Sequence, residues 1–165
     1  MPYLISRQEA LDKISLKLKQ NECLVCSILK QGSKYVLNKG KYTTTVLSEY
    51  PRTWGQTMIL LNEHKTSVSE LTGEEWDELS QQTRKTAVTI EKVLKPLRCY
   101  ISSLGATENL PNTCPHVHFN ILPIYNAQDK PSDIFSWSGG VYAADSVEWE
   151  ELYLKLLEHY TLVGD

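Results

Sequence analysis

The sequence predicts an α+β fold in which an antiparallel β-sheet is flanked by helices. Strand-like apolar runs outnumber helical patterns and cluster in the middle of the chain. Helical patterns precede, interrupt and follow these runs. The length of 165 residues fits one domain. We therefore predict a single domain over residues 1–165, with a core of about 23–125 and a C-terminal helical extension of about 126–165.

Three helices are predicted from capping signals and apolar spacing. Ser6 with Glu9 is typical of a capping box, and the helical pattern behind it ends near Asn21. Thr72 caps the strongest pattern, which Pro96 ends, and Ser146 opens a C-terminal helix. The residues expected to form the apolar stripes are Ala10, Leu11, Ile14, Leu16 and Leu18 in the first helix, Trp76, Leu79, Ala87, Ile90, Val93 and Leu94 in the second, and Trp149, Leu152, Leu154, Leu156 and Leu157 in the third.

Five strand-like runs fill the middle of the sequence. Lys39-Gly40 separates the first two as a plausible hairpin turn, and the long apolar run at Gln56–Asn62 predicts a central strand. Loops are expected over Gly105–Pro115 and Asn126–Gly140. The five runs are Lys34–Asn38, Lys41–Ser48, Gln56–Asn62, Arg98–Ser103 and His116–Pro123.

Composition narrows the class of function. The formal net charge of −3 argues against a general nucleic-acid binder but allows a small anionic ligand. No apolar stretch is long enough for a membrane span, and the first residues do not resemble a signal peptide. We therefore expect a cytoplasmic protein with no membrane partner. Its four cysteines are then expected to be reduced thiols, which favours metal binding or burial over disulfides.

The segment His116–Leu122 (HVHFNIL) is the candidate for chemistry. Alternate side chains of a strand share a face, so His116, His118 and Asn120 should lie together, opposite Val117, Phe119 and Ile121. Two imidazoles on one face can bind a metal, transfer protons or attack an electrophile. A polar sheet face that simply contacts water is the alternative.

This segment resembles the motif of the histidine-triad superfamily, in which three histidines alternate with apolar residues. The resemblance extends from about Cys23 to Tyr125. It includes CLVC at 23–26, WGQTMILLNEH at 54–64 and NTCPHVHFNILP at 112–123, in the family's order and spacing. It implies a fold in which an antiparallel sheet is flanked by helices, and it implies that His118, the middle position, attacks the α-phosphorus of a nucleotide to give a nucleotidyl-histidine intermediate.

The resemblance also implies substrate contacts around His118. Thr113 matches a Ser or Thr that approaches the phosphate or leaving group, and Asn112 stands where the family has a glutamine. Asn120 replaces the third histidine, which contacts the phosphate. An amide can still donate to that oxygen, and the family's uridylyltransferase branch carries a glutamine there.

Two further positions depart from the family pattern. Gln56 stands where another histidine is usual, and Ser48 aligns with the Asp or Asn that holds the ribose. We retain both as candidate substrate-binding residues, with weaker or altered selectivity for the nucleoside.

A zinc site is implied by a subset of the same family. Its ligands would be Cys23 and Cys26 of a CxxC, His64, and His116, the first triad histidine. Four protein ligands leave no open position, so such a zinc would be structural. Buried thiols without metal and a redox-active CxxC are the alternatives, although the flanking pattern does not suit the second.

Two functional hypotheses follow. The first is a nucleotidyl hydrolase or transferase acting on nucleoside phosphate derivatives of the phosphoramidate or dinucleoside polyphosphate type. The second is a catalytically impaired, zinc-stabilised nucleotide-binding or interaction protein, suggested by the departures at Ser48, Gln56 and Asn120. The resemblance also implies a homodimer.

Overall fold

The computed structural model describes residues 1–17, 22–104 and 114–163, and within these residues the predicted α+β architecture is confirmed. The helices are α1 (Arg7–Lys17), α2 (Leu24–Gln31), α3 (Gly73–Leu94), α4 (Pro131–Ser136) and α5 (Ser146–Leu162). The strands are β1 (Tyr3–Ile5), β2 (Val36–Lys39), β3 (Thr43–Leu47), β4 (Thr57–Leu61), β5 (Arg98–Ser102), β6 (His118–Ile124) and β7 (Val141–Ala143).

The main sheet has five strands in the order β2-β3-β4-β6-β5, and every neighbouring pair is antiparallel. Strand β4 lies at its centre, as predicted for the long apolar run. It pairs with β6 in a register that sets Leu60 opposite His118 and Met58 opposite Asn120. Residues opposite one another in antiparallel strands project from the same face. His118 and Asn120 therefore share the face of Leu60 and Met58.

The two faces of the sheet are covered differently. Helices α3 and α5 cover one face with the largest hydrophobic cluster, which includes Ile59, Ile121 and Leu156. Helix α2 lies on the other face, where Val25 packs with Leu60. The second face is the one that carries His118 and Asn120, so α2 stands beside the candidate site.

Helix α3 begins with the predicted cap, and Leu79 and Ile90 of its predicted stripe are fully buried, whereas Trp76 is not. Thr72 and Glu75 form a reciprocal capping box, and Glu75 also pairs with Lys65 Nζ at 2.6 Å. Glu75 therefore occupies the buried line at the first turn. The prediction that Trp76 is buried is wrong, because its side chain lies one position round the helix and is 43% exposed.

Several local predictions need correction. Leu16 and Leu154 were expected on buried stripes but are exposed, because α1 and α5 turn other faces inwards. Strand β6 begins at His118, so His116 precedes it rather than opening it. The short elements α2 and α4 and the separate β1–β7 pair were not predicted. The predicted Leu18 and Asn21, and most of the loop at 105–115, lie outside the described residues.

None of the helices within the described residues combines the length and apolar character needed to cross a bilayer.

A cysteine-histidine cluster beside a polar cavity

The structure brings Cys23, Cys26, His64 and His116 together, and their ligand atoms all lie within 4.8 Å of one another. Cys23 is the N-cap of α2, and Cys26 lies in the first turn of that helix. His64 follows β4, and His116 precedes β6. Three segments that are distant in sequence therefore meet at one point beside the sheet.

The ring of His116 has a defined tautomer. Its Nε2 lies 2.7 Å from the carbonyl oxygen of Leu61. A carbonyl oxygen only accepts hydrogen bonds, so Nε2 carries the proton and donates. In the neutral ring the lone pair is then on Nδ1, the atom that faces Cys23 Sγ, Cys26 Sγ and His64 Nδ1. A ligating histidine held by a backbone carbonyl in this way is the usual arrangement around a metal.

The separations within the cluster fit tetrahedral zinc. Zn–N and Zn–S bonds of about 2.0 and 2.3 Å imply separations of roughly 3.3 Å between two nitrogens and roughly 3.6 Å between nitrogen and sulfur. The two histidine Nδ1 atoms are 3.2 Å apart. Three of the four nitrogen–sulfur separations are 3.2, 3.4 and 3.6 Å, and the fourth, between Cys23 and His64, is within 4.8 Å. Two thiols and two imidazoles at these distances suit a closed structural zinc site.

His118 lies two residues further on and presents its ring in the opposite sense. Its Nδ1 donates a hydrogen bond of 2.8 Å to the carbonyl oxygen of His116. In the neutral ring Nε2 therefore has the lone pair. Burial lowers the pKa of His118 below its usual value, although the bond to the His116 carbonyl opposes this shift and the charge of Arg52 adds to it.

His118 lines a cavity of about 1260 Å³ between the sheet, α2 and α1. Ser48, Gln56 and Asn120 line the same cavity, so three of the predicted substrate-binding residues accompany His118. The other two, Asn112 and Thr113, lie outside the described residues. Apolar side chains complete the wall, among them Leu11, Ile14, Ile28, Met58 and Trp137.

His116, His118 and Asn120 are buried, with exposures of 0%, 7% and 0%. This excludes the alternative of a polar sheet face in contact with bulk water. Buried polar groups need partners, and those of His116 and His118 are the carbonyls already described.

Gln56 fixes the orientation of Asn120. The backbone N–H of Arg52 lies 2.8 Å from Gln56 Oε1, and a backbone N–H can only donate, so the oxygen must face it. Gln56 Nε2 then donates to Asn120 Oδ1 at 2.9 Å. Asn120 Nδ2 is left as a buried donor with no partner in the described part of the chain.

Arg52 is the cavity residue that the sequence did not reveal. Its Nε and Nη1 are buried and have no hydrogen-bond partner among the described residues. The guanidinium carbon lies 5.2 Å from the centre of the Trp137 ring. Burial lowers the pKa of Arg52 to about 10, which leaves it protonated at neutral pH. In the sequence it is one of four arginines that are widely spaced, and no local pattern marks it.

Comparison with solved structures identifies the fold. A zinc-bound histidine triad family protein from Mycobacterium smegmatis matches with a TM-score of 0.66 at 15% identity, over 86% of this chain and 94% of its own. A hypothetical histidine triad nucleotide-binding protein from Sulfolobus tokodaii matches with a TM-score of 0.67 at 20% identity, over 85% of this chain and 93% of its own.

The chain has the histidine-triad fold. The resemblance predicted from the motif is thus confirmed at the level of fold. A uridylyltransferase with the same fold matches with a TM-score of 0.69 at 18% identity, and covers 96% of this chain but only 51% of that protein. No protein-family model and no curated protein matches the sequence.

Proposed function

We propose that the chain is a divergent member of the histidine-triad superfamily that acts as a nucleotidyl hydrolase or transferase through His118. One observation carries the proposal. His118 is buried at a cavity wall with Nδ1–H donated to the His116 carbonyl, which leaves Nε2 as a nucleophilic lone pair.

The chemistry is a double displacement at phosphorus. His118 Nε2 forms a bond to the α-phosphorus of a nucleoside phosphate derivative, and the bond to the leaving group breaks with its electron pair. The leaving group then takes up a proton. Water or a second acceptor displaces the nucleotide from Nε2 in the next step and gives up a proton. The His116 carbonyl stabilises the transient imidazolium through the Nδ1 proton.

The solved structures support a nucleotide as the ligand. One is described as nucleotide-binding, and another is a uridylyltransferase. We extend these descriptions to this chain because His118, Asn120, Gln56 and Ser48 line one cavity on the same face of the sheet.

We also propose that Cys23, Cys26, His64 and His116 bind one structural zinc. The cluster geometry and the tautomer of His116 support this, and one structural relative is zinc-bound. The ion would fasten the start of α2 to the segment that precedes His118. Metal analysis of protein purified without chelator should then give one zinc per chain.

A binding protein without catalysis is the second candidate. It is favoured by Asn120, whose side chain is an amide that can donate a hydrogen bond but cannot transfer a proton to a leaving group at neutral pH. This candidate keeps the zinc and the nucleotide ligand and lacks turnover.

Intact-protein mass spectrometry separates the two candidates. The protein is incubated with an adenosine phosphoramidate or a dinucleoside polyphosphate and quenched at neutral to basic pH, because a phosphoramidate bond to histidine is labile in acid. A nucleotidyl adduct that maps to His118, together with released leaving group, supports the enzyme. Folded protein with neither adduct nor product contradicts it and favours the binding protein.

We further propose a cytoplasmic homodimer. Strand β5 is the edge of the main sheet in the described residues, and Ile101 and Leu97 beside it are exposed apolar side chains. Sedimentation velocity at micromolar concentration should show a dimer. A monomer throughout the concentration range contradicts this part of the proposal.

A further inference from the structure

The cavity beside His118 is lined by Arg52, a half-buried residue whose guanidinium has no ion-pair partner within the described residues. Arg52 Nε and Nη1 are buried and make no hydrogen bond within the described residues. Burying a charged group that lacks a counterion is costly, and native proteins normally satisfy such a group. An anionic ligand would therefore stabilise the guanidinium of Arg52.

None of the other charged side chains known to line the cavity forms an ion pair with Arg52 in the described structure. Arg7, Glu22 and Glu49 also line it, and each already has an interaction within the protein. Arg52 forms none of the ion pairs found among the described residues. Its defined neighbour is Trp137, whose ring flanks the guanidinium and restricts its orientation.

A second unpaired donor lies in the same cavity. Asn120 is fully buried, and Gln56 holds its Oδ1, so Nδ2 remains available. The same Gln56 accepts the backbone N–H of Arg52 through Oε1. One glutamine side chain thus positions both the backbone that carries Arg52 and the amide of Asn120.

We propose that Arg52 is the anion-binding and specificity-determining residue of this cavity, and that with Asn120 Nδ2 it selects ligands whose phosphoryl group carries negative charge. The inference rests on the proposed function and adds a requirement to it. The group presented to His118 must be an anionic phosphoryl group. Planar guanidinium groups suit this role because their fork of N–H donors matches the oxygens of a phosphate.

Calorimetric titration of the full chain tests the inference with inorganic phosphate, adenosine 5′-monophosphate and adenosine. The wild-type protein should bind the two phosphates, with an affinity that falls as salt is raised. Arg52→Gln should weaken both phosphates by roughly 10- to 100-fold, the range expected for hydrogen bonds to a charged group, and leave adenosine unchanged. Arg52→Lys should retain part of the affinity, since it keeps the charge but loses the fork.

Arg84→Gln is the matched control, because it removes an exposed arginine of α3 that does not line the cavity. It should bind phosphate as the wild type does. Thermal unfolding establishes that each variant is folded. If Arg52→Gln fails to fold, the comparison of Arg52→Lys with the wild type decides the matter, and equal phosphate affinity of those two overturns the inference.

With folded Arg52→Gln protein, two further results overturn the inference: this variant binds both phosphates as tightly as the wild type does, or the wild type binds neither. Each is distinct from failure of the proposed function. A nucleotidyl adduct on wild-type His118 combined with unchanged phosphate binding in Arg52→Gln removes only the role of Arg52. Phosphate binding that depends on Arg52 without any adduct sustains the anion site and removes the catalysis.

Discussion

His116 and His118 are separated by a single residue, yet the regions around them have opposite chemical character. Around His116, two thiols and two imidazole nitrogens direct electron pairs towards one point. Around His118, guanidinium and amide N–H groups at a cavity wall have no partner within the described residues. The first region suits a cation and the second an anion. The role of a histidine therefore does not follow from its residue type alone. It depends on which ring nitrogen the backbone partner leaves free and on the groups that face this nitrogen.

Replacing His118 should produce the largest effect, and it tests the region that is proposed to bind an anion. We expect His118→Ala to lower turnover by at least roughly a thousandfold, since the proposed nucleophile is removed. The His116 carbonyl loses its donor, so the free energy of unfolding should fall by about 1–3 kcal/mol. Turnover measured by release of the leaving group, with thermal unfolding as the fold check, tests this.

His159→Ala is the control for that experiment. His159 lies in α5, bonds only to the Lys155 carbonyl in the described structure, and does not line the cavity. Turnover retained in His118→Ala would refute the nucleophile assignment, whereas turnover lost in both variants would point to a general effect of the substitutions.

Removing one thiol tests the region that is proposed to bind a cation. Cys26→Ser is expected to reduce zinc from one equivalent per chain to a small fraction and to lower the free energy of unfolding by more than about 3 kcal/mol. Metal analysis and chemical denaturation measure the two effects. Cys99→Ser, at a half-buried thiol of β5 outside the cluster, should keep its zinc. Full zinc content in Cys26→Ser contradicts the ligand assignment.

A substitution at Gln56 tests the orientation of Asn120 while leaving the Arg52 side chain in place. In Gln56→Glu, one oxygen can still accept the Arg52 N–H, but nothing remains to donate to Asn120 Oδ1. The Asn120 amide should turn so that Nδ2 faces the new carboxylate and Oδ1 faces the ligand. Phosphate affinity should fall by roughly tenfold or more, because a donor becomes an acceptor and the new carboxylate adds negative charge to the proposed anion site.

The zinc content of Gln56→Glu serves as its internal control and should be unchanged, since Gln56 does not contact the cluster. Phosphate affinity equal to that of the wild type would show that the orientation of Asn120 has no role in anion binding.

Cys114 provides the smallest and most discriminating effect. Its Sγ lies 3.6 Å from Cys23 Sγ, yet it is outside the four-residue cluster. We expect Cys114→Ser to retain one zinc and to lose about 1 kcal/mol of stability at most, because a half-buried thiol is exchanged for a smaller polar group. Loss of zinc in this variant, measured beside the Cys26→Ser protein, would show that Cys114 is a ligand and that the site contains three cysteines.

The sequence predicted those elements whose signals are local. The run at Gln56–Asn62 is the central strand because it is apolar on both faces, and Thr72 starts α3 because it caps its own helix. Helix α2 has only eight residues and overlaps the CxxC, so its periodicity was too short to recognise. The pair β1–β7 joins two three-residue strands that are far apart in the sequence, and no local pattern specifies such a contact.

The same distinction applies to the site. The members of the cysteine-histidine cluster and His118 could be singled out because cysteine and histidine at particular spacings are rare and chemically specific. Gln56 was assigned to substrate binding, but both ends of its amide are occupied by protein groups. Arg52 could not be found, because an arginine becomes notable only when its partners prove to be missing.

His116 connects the two regions through different parts of one residue. Its side chain lies in the cysteine-histidine cluster and donates a hydrogen bond to the Leu61 carbonyl, while its own backbone carbonyl orients His118. The carbonyl belongs to the backbone and survives any substitution at position 116, so this position affects the reactivity of His118 only through the anchor that its side chain supplies. In evolutionary terms, a lineage that mutates Cys26 loses one proposed zinc ligand but keeps the anchor at Leu61, whereas one that mutates His116 loses a proposed ligand and the anchor together. Descendants of the two lineages would therefore differ in how firmly His118 is held.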